Sequence, residues 1–145
     1  MKFTTVLTGL VLVSSGLLMS ACQTADPTAT KTGSGSETAS VKSGVKTQLS
    51  GFYKVNDDCS SRVPPELKAV SGPSHGTIDF SRGSSRPSFR EGERRHKCNS
   101  QNVSKIYVSY TSTSGFVGKD SVTISSKTAG SDFYSYVNFT INVTN

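Results

Sequence analysis

Gly72-Pro73-Ser74-His75-Gly76 fits the Gly-x-Ser-x-Gly pattern that lifts a nucleophilic serine onto a sharp turn. That elbow needs a strand before it, a helix after it and a large parallel sheet around it. Here Thr77-Ile78-Asp79-Phe80 follows, and it reads as another short strand. His75 adjoins the serine, whereas the base of a triad is brought in by the fold from elsewhere in the chain. The carboxylates are no better placed. Asp57-Asp58 and Glu91/Glu93 are local pairs among turn residues or arginines, which is the pattern of solvated charges. His75 and His96 lack metal-ligand spacing, and the chain has no Cys-x-x-Cys. The expectation is a protein that is not an enzyme, with no catalytic residue, no metal and no cofactor.

The cysteines carry more information. Cys22 follows a charged start at Lys2 and an apolar stretch from Val6 to Met19, and it has small Ala21 on its N-terminal side. The apolar stretch is short for a membrane span and suits the core of a secretory signal. Met19-Ser20-Ala21-Cys22 resembles the lipobox of bacterial lipoproteins. That resemblance implies a lipoprotein signal peptide over residues 1–21, cleavage before Cys22, and a thioether-linked diacylglyceryl group plus an N-acyl chain, palmitate for example, on Cys22. Several acyl chains on one residue anchor stably where a single chain holds only marginally. The location implied is the bacterial cell envelope, and Gln23 in place of Asp implies the outer membrane. Cys59 and Cys98 then remain as the other cysteines, in an oxidising compartment, and are expected to form a disulfide worth ~4 kcal/mol on chain-entropy grounds.

From Gln23 to Lys46 the chain is almost entirely Thr, Ala, Ser, Gly and Lys, with one proline and no aromatic residue. Such a segment buries too little apolar surface to offset ordering entropy. Residues 22–46 are therefore expected to be a lipidated cysteine and a flexible linker, with a root-mean-square reach of roughly 25–30 Å that holds a head clear of the lipid surface. Residues 47–145, roughly 100 in number, leave room for one small domain.

That domain reads as all-β. Val, Ile, Thr, Tyr, Phe and Ser dominate, turn formers recur at short intervals, and no stretch keeps a helical apolar period for three turns. The clearest strand is Phe133 to Val143, with Phe133, Val137, Phe139, Ile141 and Val143 on one face and Tyr134, Asn138, Thr140 and Asn142 on the other. Ile106, Val108 and Tyr110 alternate with Tyr107 and Ser109, and Val122 and Ile124 mark a shorter strand. Leu49 to Val55, Leu67 to Val70 and Thr77 to Phe80 are weaker candidates. About six short strands joined by turns suggest an antiparallel β-sandwich.

Pro73-Ser74-His75-Gly76-Thr77-Ile78, then Tyr110-Thr111, then Gly115-Phe116-Val117-Gly118-Lys119-Asp120-Ser121-Val122-Thr123-Ile124, and last Val137 to Val143, together resemble the Ig-like, cadherin-like repeats of bacterial surface and secreted proteins. The resemblance runs from Gly72 to Thr144 and implies a single Ig-like sandwich, with Phe116 plugging one end and Asp120 accepting backbone hydrogen bonds in its turn. A basic insertion before Ile106 departs from the repeat pattern.

The insertion holds most of the excess charge of a chain with net charge +6. Arg82, Arg86, Arg90, Arg94, Arg95 and Lys97 stand there against Glu91 and Glu93. Arginine forks suit phosphate and carboxylate, so the chemistry fits lipopolysaccharide phosphates, peptidoglycan or teichoic-type polymers, anionic lipid or an acidic envelope protein. The bland alternative is a solvated loop that is basic only for solubility. An envelope location argues against nucleic acid. The reading is an envelope lipoprotein, joined to the membrane through its lipid anchor, acting as a non-catalytic binding or assembly module. The alternative is a lipoprotein inhibitor or accessory that blocks a periplasmic enzyme with the 81–97 loop. Oligomeric state is left open.

Overall fold

The computed structural model describes residues 31–145, so the expected signal peptide, Cys22 and the start of the expected linker lie outside the described residues. Seven strands follow one another: β1 Lys31–Lys42, β2 Thr47–Phe52, β3 Glu66–Ser71, β4 Gly76–Ser85, β5 Val103–Ser112, β6 Gly118–Lys127 and β7 Tyr134–Thr144. They form two sheets, ordered β1-β7-β6-β3 and β2-β5-β4. Naming the strands A to G in sequence, the second sheet is B-E-D and the first holds C-F-G, which is the immunoglobulin arrangement with strand A moved to the G edge.

Alternation builds the core from both sheets. Phe139, Ile141 and Val143 of β7, Val122 and Ile124 of β6 and Val41 of β1 meet Val108 and Tyr110 of β5, all buried. Leu49, Phe52, Leu67, Ile78 and Phe116 close over them. Phe133 does not join this face: it precedes β7 and is 54% exposed. β5 is the central strand of its sheet and is buried at positions on both faces, so Val103 and Lys105 are buried as well as Val108.

Two expectations are corrected by β1. The segment expected to be linker up to residue 46 is a strand from Lys31 to Lys42, so the domain reaches well before residue 47. It also runs parallel to β7, in register from Ser34 opposite Tyr136 to Lys42 opposite Thr144, so the sandwich is not antiparallel throughout. The composition argument failed because an edge strand needs little apolar surface of its own. The ladder to β7 satisfies its backbone, and Val41, 4% exposed, with Ala39 supplies its core contact.

The connections sort by length. Those over residues 43–46, 72–75 and 113–117 are short turns at one end of the sandwich. The long ones over 53–65, 86–102 and 128–133 all lie at the opposite end, and β1 begins there, with Lys31 opposite Tyr134.

Candidate functional site

The β4–β5 connection is a built structure. Its polypeptide passes through a short 3-10 helix, His96–Ser100, that places Cys98 in the interior, where it is bonded to Cys59 across a sequence separation of 39 with Cα atoms 5.1 Å apart. Cys59 is presented by a tight turn. The Asp58 carboxylate accepts the Ser60 hydroxyl at 2.6 Å and the Ser60 N–H at 2.9 Å, and these bonds hold its pKa below the usual carboxylate value. The disulfide, Val55 and Val103 form a second apolar cluster, with Tyr53 and Phe89 packed edge to face at 5.7 Å beside it. Asn99 clamps Phe89 on both sides of its backbone, donating to the carbonyl and accepting the N–H, each at 2.9 Å. Lys105 reaches up from β5, with its Nζ 4.5 Å from the Tyr53 ring centroid, and donates to the Arg86 carbonyl at 2.6 Å.

The basic residues are distributed unevenly over this scaffold. Arg82 lies in β4 opposite Ile106 and is not in the connection at all. Arg94 and Arg95 share one carboxylate, that of Asp57, at 2.7 Å through Nη2 and 3.0 Å through Nε. These pairs are exposed, so each contributes well under about 1 kcal/mol, but together they fix two guanidinium groups side by side. A shallow depression of about 170 Å³ lies among Phe89, Glu93, Arg94 and Arg95. Arg86, Arg90 and Lys97 are exposed and make no ion pair among the described residues. Sequence reasoning missed the role of Asp57, taken as a solvated charge, and of Asn99 and Lys105. A carboxylate just before a cysteine that bridges to an arginine-rich segment is the signal that was available for Asp57.

The serine motif is held by a buried carboxylate. Asp120 accepts the N–H groups of Ser74 and His75, each at 2.9 Å, and the hydroxyl of Tyr110 at 2.9 Å. Burial pushes its pKa up, but these donors and the Ser121 N–H outweigh it and hold the carboxyl below its ordinary value. Burial first, and then the Asp120 carboxylate, push the Tyr110 phenol up. Gly72 has φ +64°, and a Cβ there would meet the Ser121 carbonyl oxygen at 2.1 Å, so the turn needs glycine for its approach to β6. His75 stacks on Phe116 at 4.1 Å, covering the end of the sandwich. Asp120 thus does accept backbone hydrogen bonds, but chiefly from a turn more than forty residues earlier. The Gly-x-Ser-x-Gly segment is a turn clamped by its backbone. Among the described residues no group of three or more His, Cys, Asp or Glu side chains is placed to hold a metal ion.

Tyr107, on the face of β5 opposite the core, lies across Gly51 and Gly83, where a Cβ would come within 3.3 and 2.6 Å of its ring, so it is half-buried and not an exposed contact residue.

The fold defines the class as a single Ig-like β-sandwich with an elaborated, disulfide-held β4–β5 connection. No protein-family model and no curated protein matches the sequence. Among solved structures, the solution structure of Amebosin is similar at 11% identity and a TM-score of 0.41, covering 77% of this chain and 97% of that one.

Proposed function

We propose that the chain is a cell-envelope lipoprotein, anchored at Cys22, whose Ig-like domain is a non-catalytic binding or assembly module with the β4–β5 connection as its contact surface. The reading is carried by one observation: the connection, which sets Arg86, Arg90, Arg94, Arg95 and Lys97 against Glu91 and Glu93, is cross-linked, clamped by Asn99 and packed on Tyr53, yet leaves Arg86, Arg90 and Lys97 exposed and without ion pairs among the described residues. A loop that is basic only for solubility needs no such scaffold. Pre-organised cations lose little entropy on meeting an anionic surface, so a rigid loop binds better than a floppy one of equal charge. The lipobox-like Met19-Ser20-Ala21-Cys22 supports the envelope setting.

The test is sedimentation of the purified protein with envelope fractions at low and high salt, comparing the parent with an Arg86→Ser, Arg90→Ser, Lys97→Ser variant. Binding by the parent should weaken several-fold as salt rises, and the variant should bind weakly at both ionic strengths. Equal binding of parent and variant throughout would reduce the connection to a solvated loop.

A further inference from the structure

The long-loop end of the sandwich is also the end at which the chain arrives from its N-terminus. β1 starts opposite the first residue of β7, beside the last residue of β6 and the first of β3. Because β1 takes up the segment that would otherwise be tether, Lys31 lies only nine positions after Cys22. A chain of that length spans at most about 30 Å when fully extended. An acylated Cys22 therefore keeps this end of the domain within about 30 Å of the lipid surface.

The near end is the basic one. Lys54, Arg62, Arg86, Arg90 and Lys97 are all exposed in its connections. Of the carboxylates among them, Asp57 is paired with Arg94 and Arg95, while Asp58 and Glu93 accept bonds from Ser60 and the Arg90 N–H, and Glu91 and Asp132 stand exposed, so the cations outnumber them. At the far end Lys42 and Lys119 are exposed as well, but Lys46 is bound to Asp79 at 2.6 Å and none of the arginines lies there. Large apolar side chains stand out at both ends, Val63 at 70% and Phe133 at 54% exposure in the near-end connections and Val45 and Val117 at 51% each in the far-end turns, but only the near end sets them among exposed arginines. Cations around protruding apolar groups match the boundary between phosphate headgroups and acyl chains.

We infer that the long-loop end of the domain docks on the anionic phosphate layer of the membrane that holds its own lipid anchor. The occupant of the basic surface is thus the headgroup layer itself, and the inference rests on Cys22 being acylated. Docking sets the orientation of the domain: the sheets stand up from the membrane, and the 113–117 turn with His75 and Phe116 faces outward.

The protein has no tryptophan, so single reporters can be introduced. Phe133→Trp marks the near end and Val117→Trp, at a position equally exposed in the parent, marks the far end. Each full-length protein, with the mass of its Cys22 peptide confirming acylation, is reconstituted in phosphatidylcholine vesicles with or without about one third phosphatidylglycerol, and quenching by brominated lipid is measured. Quenching at position 133 should exceed that at 117 by at least twofold in the anionic vesicles. The difference should vanish in pure phosphatidylcholine, at high salt, or when Arg86, Arg90 and Lys97 are changed to Ser. Acylated protein that is quenched equally at both positions in anionic vesicles overturns the docking while leaving the lipoprotein reading intact. Equal quenching accompanied by salt-sensitive sedimentation with purified peptidoglycan also overturns it, and assigns the surface to a wall polymer. An unmodified Cys22 peptide overturns both readings at once.

Discussion

Inside the sandwich the Tyr110 hydroxyl donates to Asp120 Oδ2 at 2.9 Å, and the same carboxylate takes the backbone N–H groups of Ser74 and His75 from the 72–76 turn. One buried charge thereby ties β5, β6 and the β3–β4 connection together.

This relationship predicts the pH limits of stability. The Asp120 pKa lies below its ordinary 3.8, so the fold favours the ionised form; the stability it supplies is complete above that value and is withdrawn as pH falls through the folded one. The Tyr110 pKa lies above its ordinary 10.0, so the fold favours the neutral phenol, and that contribution holds below pH 10.0 and is lost as pH rises through the folded value. Asp120→Ala should cost about 3 kcal/mol by stranding buried donors, and Tyr110→Phe about 1–2 kcal/mol. Asp120→Asn should also flatten the acid limb of a urea-midpoint profile below pH 3.8. An acid limb identical to that of the parent would show that other carboxylates set it.

Opening the Cys59–Cys98 bridge should be costly in both stability and local order. Reduction or a double Cys→Ser change should lower the unfolding free energy by about 2–5 kcal/mol, because it frees a loop of 39 positions and opens the Val55–Val103 cluster. Thermal melts with and without reductant measure this, and an unchanged melting temperature would contradict it.

β1 should behave as part of the domain. Val41→Ala should destabilise by about 1–2 kcal/mol through the cavity left beside the core, and a chain starting at residue 47 should melt well below one starting at residue 31. Hydrogen exchange offers a second measure. Amides of β1 from Ser36 to Val41 should be protected, and exchange at unfolded-chain rates would return the segment to the linker.

The proposed anchoring depends on one thiol. If Cys22 is the acyl acceptor, Cys22→Ser should leave the variant as an unlipidated precursor or a soluble, mis-sorted form. Mass spectrometry of the wild-type N-terminus decides the matter, since a mature chain with an unmodified Cys22 would end the lipoprotein reading.

The strands were legible where alternation was strong. Phe139, Ile141 and Val143 must share a face wherever the strand is placed, because side chains alternate with a period of two, and the same holds for Val108 with Tyr110 and for Val122 with Ile124. The disulfide was legible too, since reading Cys22 as acylated and the chain as exported left two cysteines expected to pair with each other. Tertiary structure decided the rest. Lys31 to Lys42 has no pattern that demands a strand, and becomes one only because β7 offers it an open edge. Asp120 could be seen as a turn residue, but its bonds to Ser74 and His75 depend on how β3 and β6 bring two distant turns together. The arginines were visible as a run of charge. Which of them pair with Asp57, which stay exposed, and that they gather at the end where the chain enters follow from strand order, because local composition carries the sign of a charge but only the packed chain fixes its neighbours.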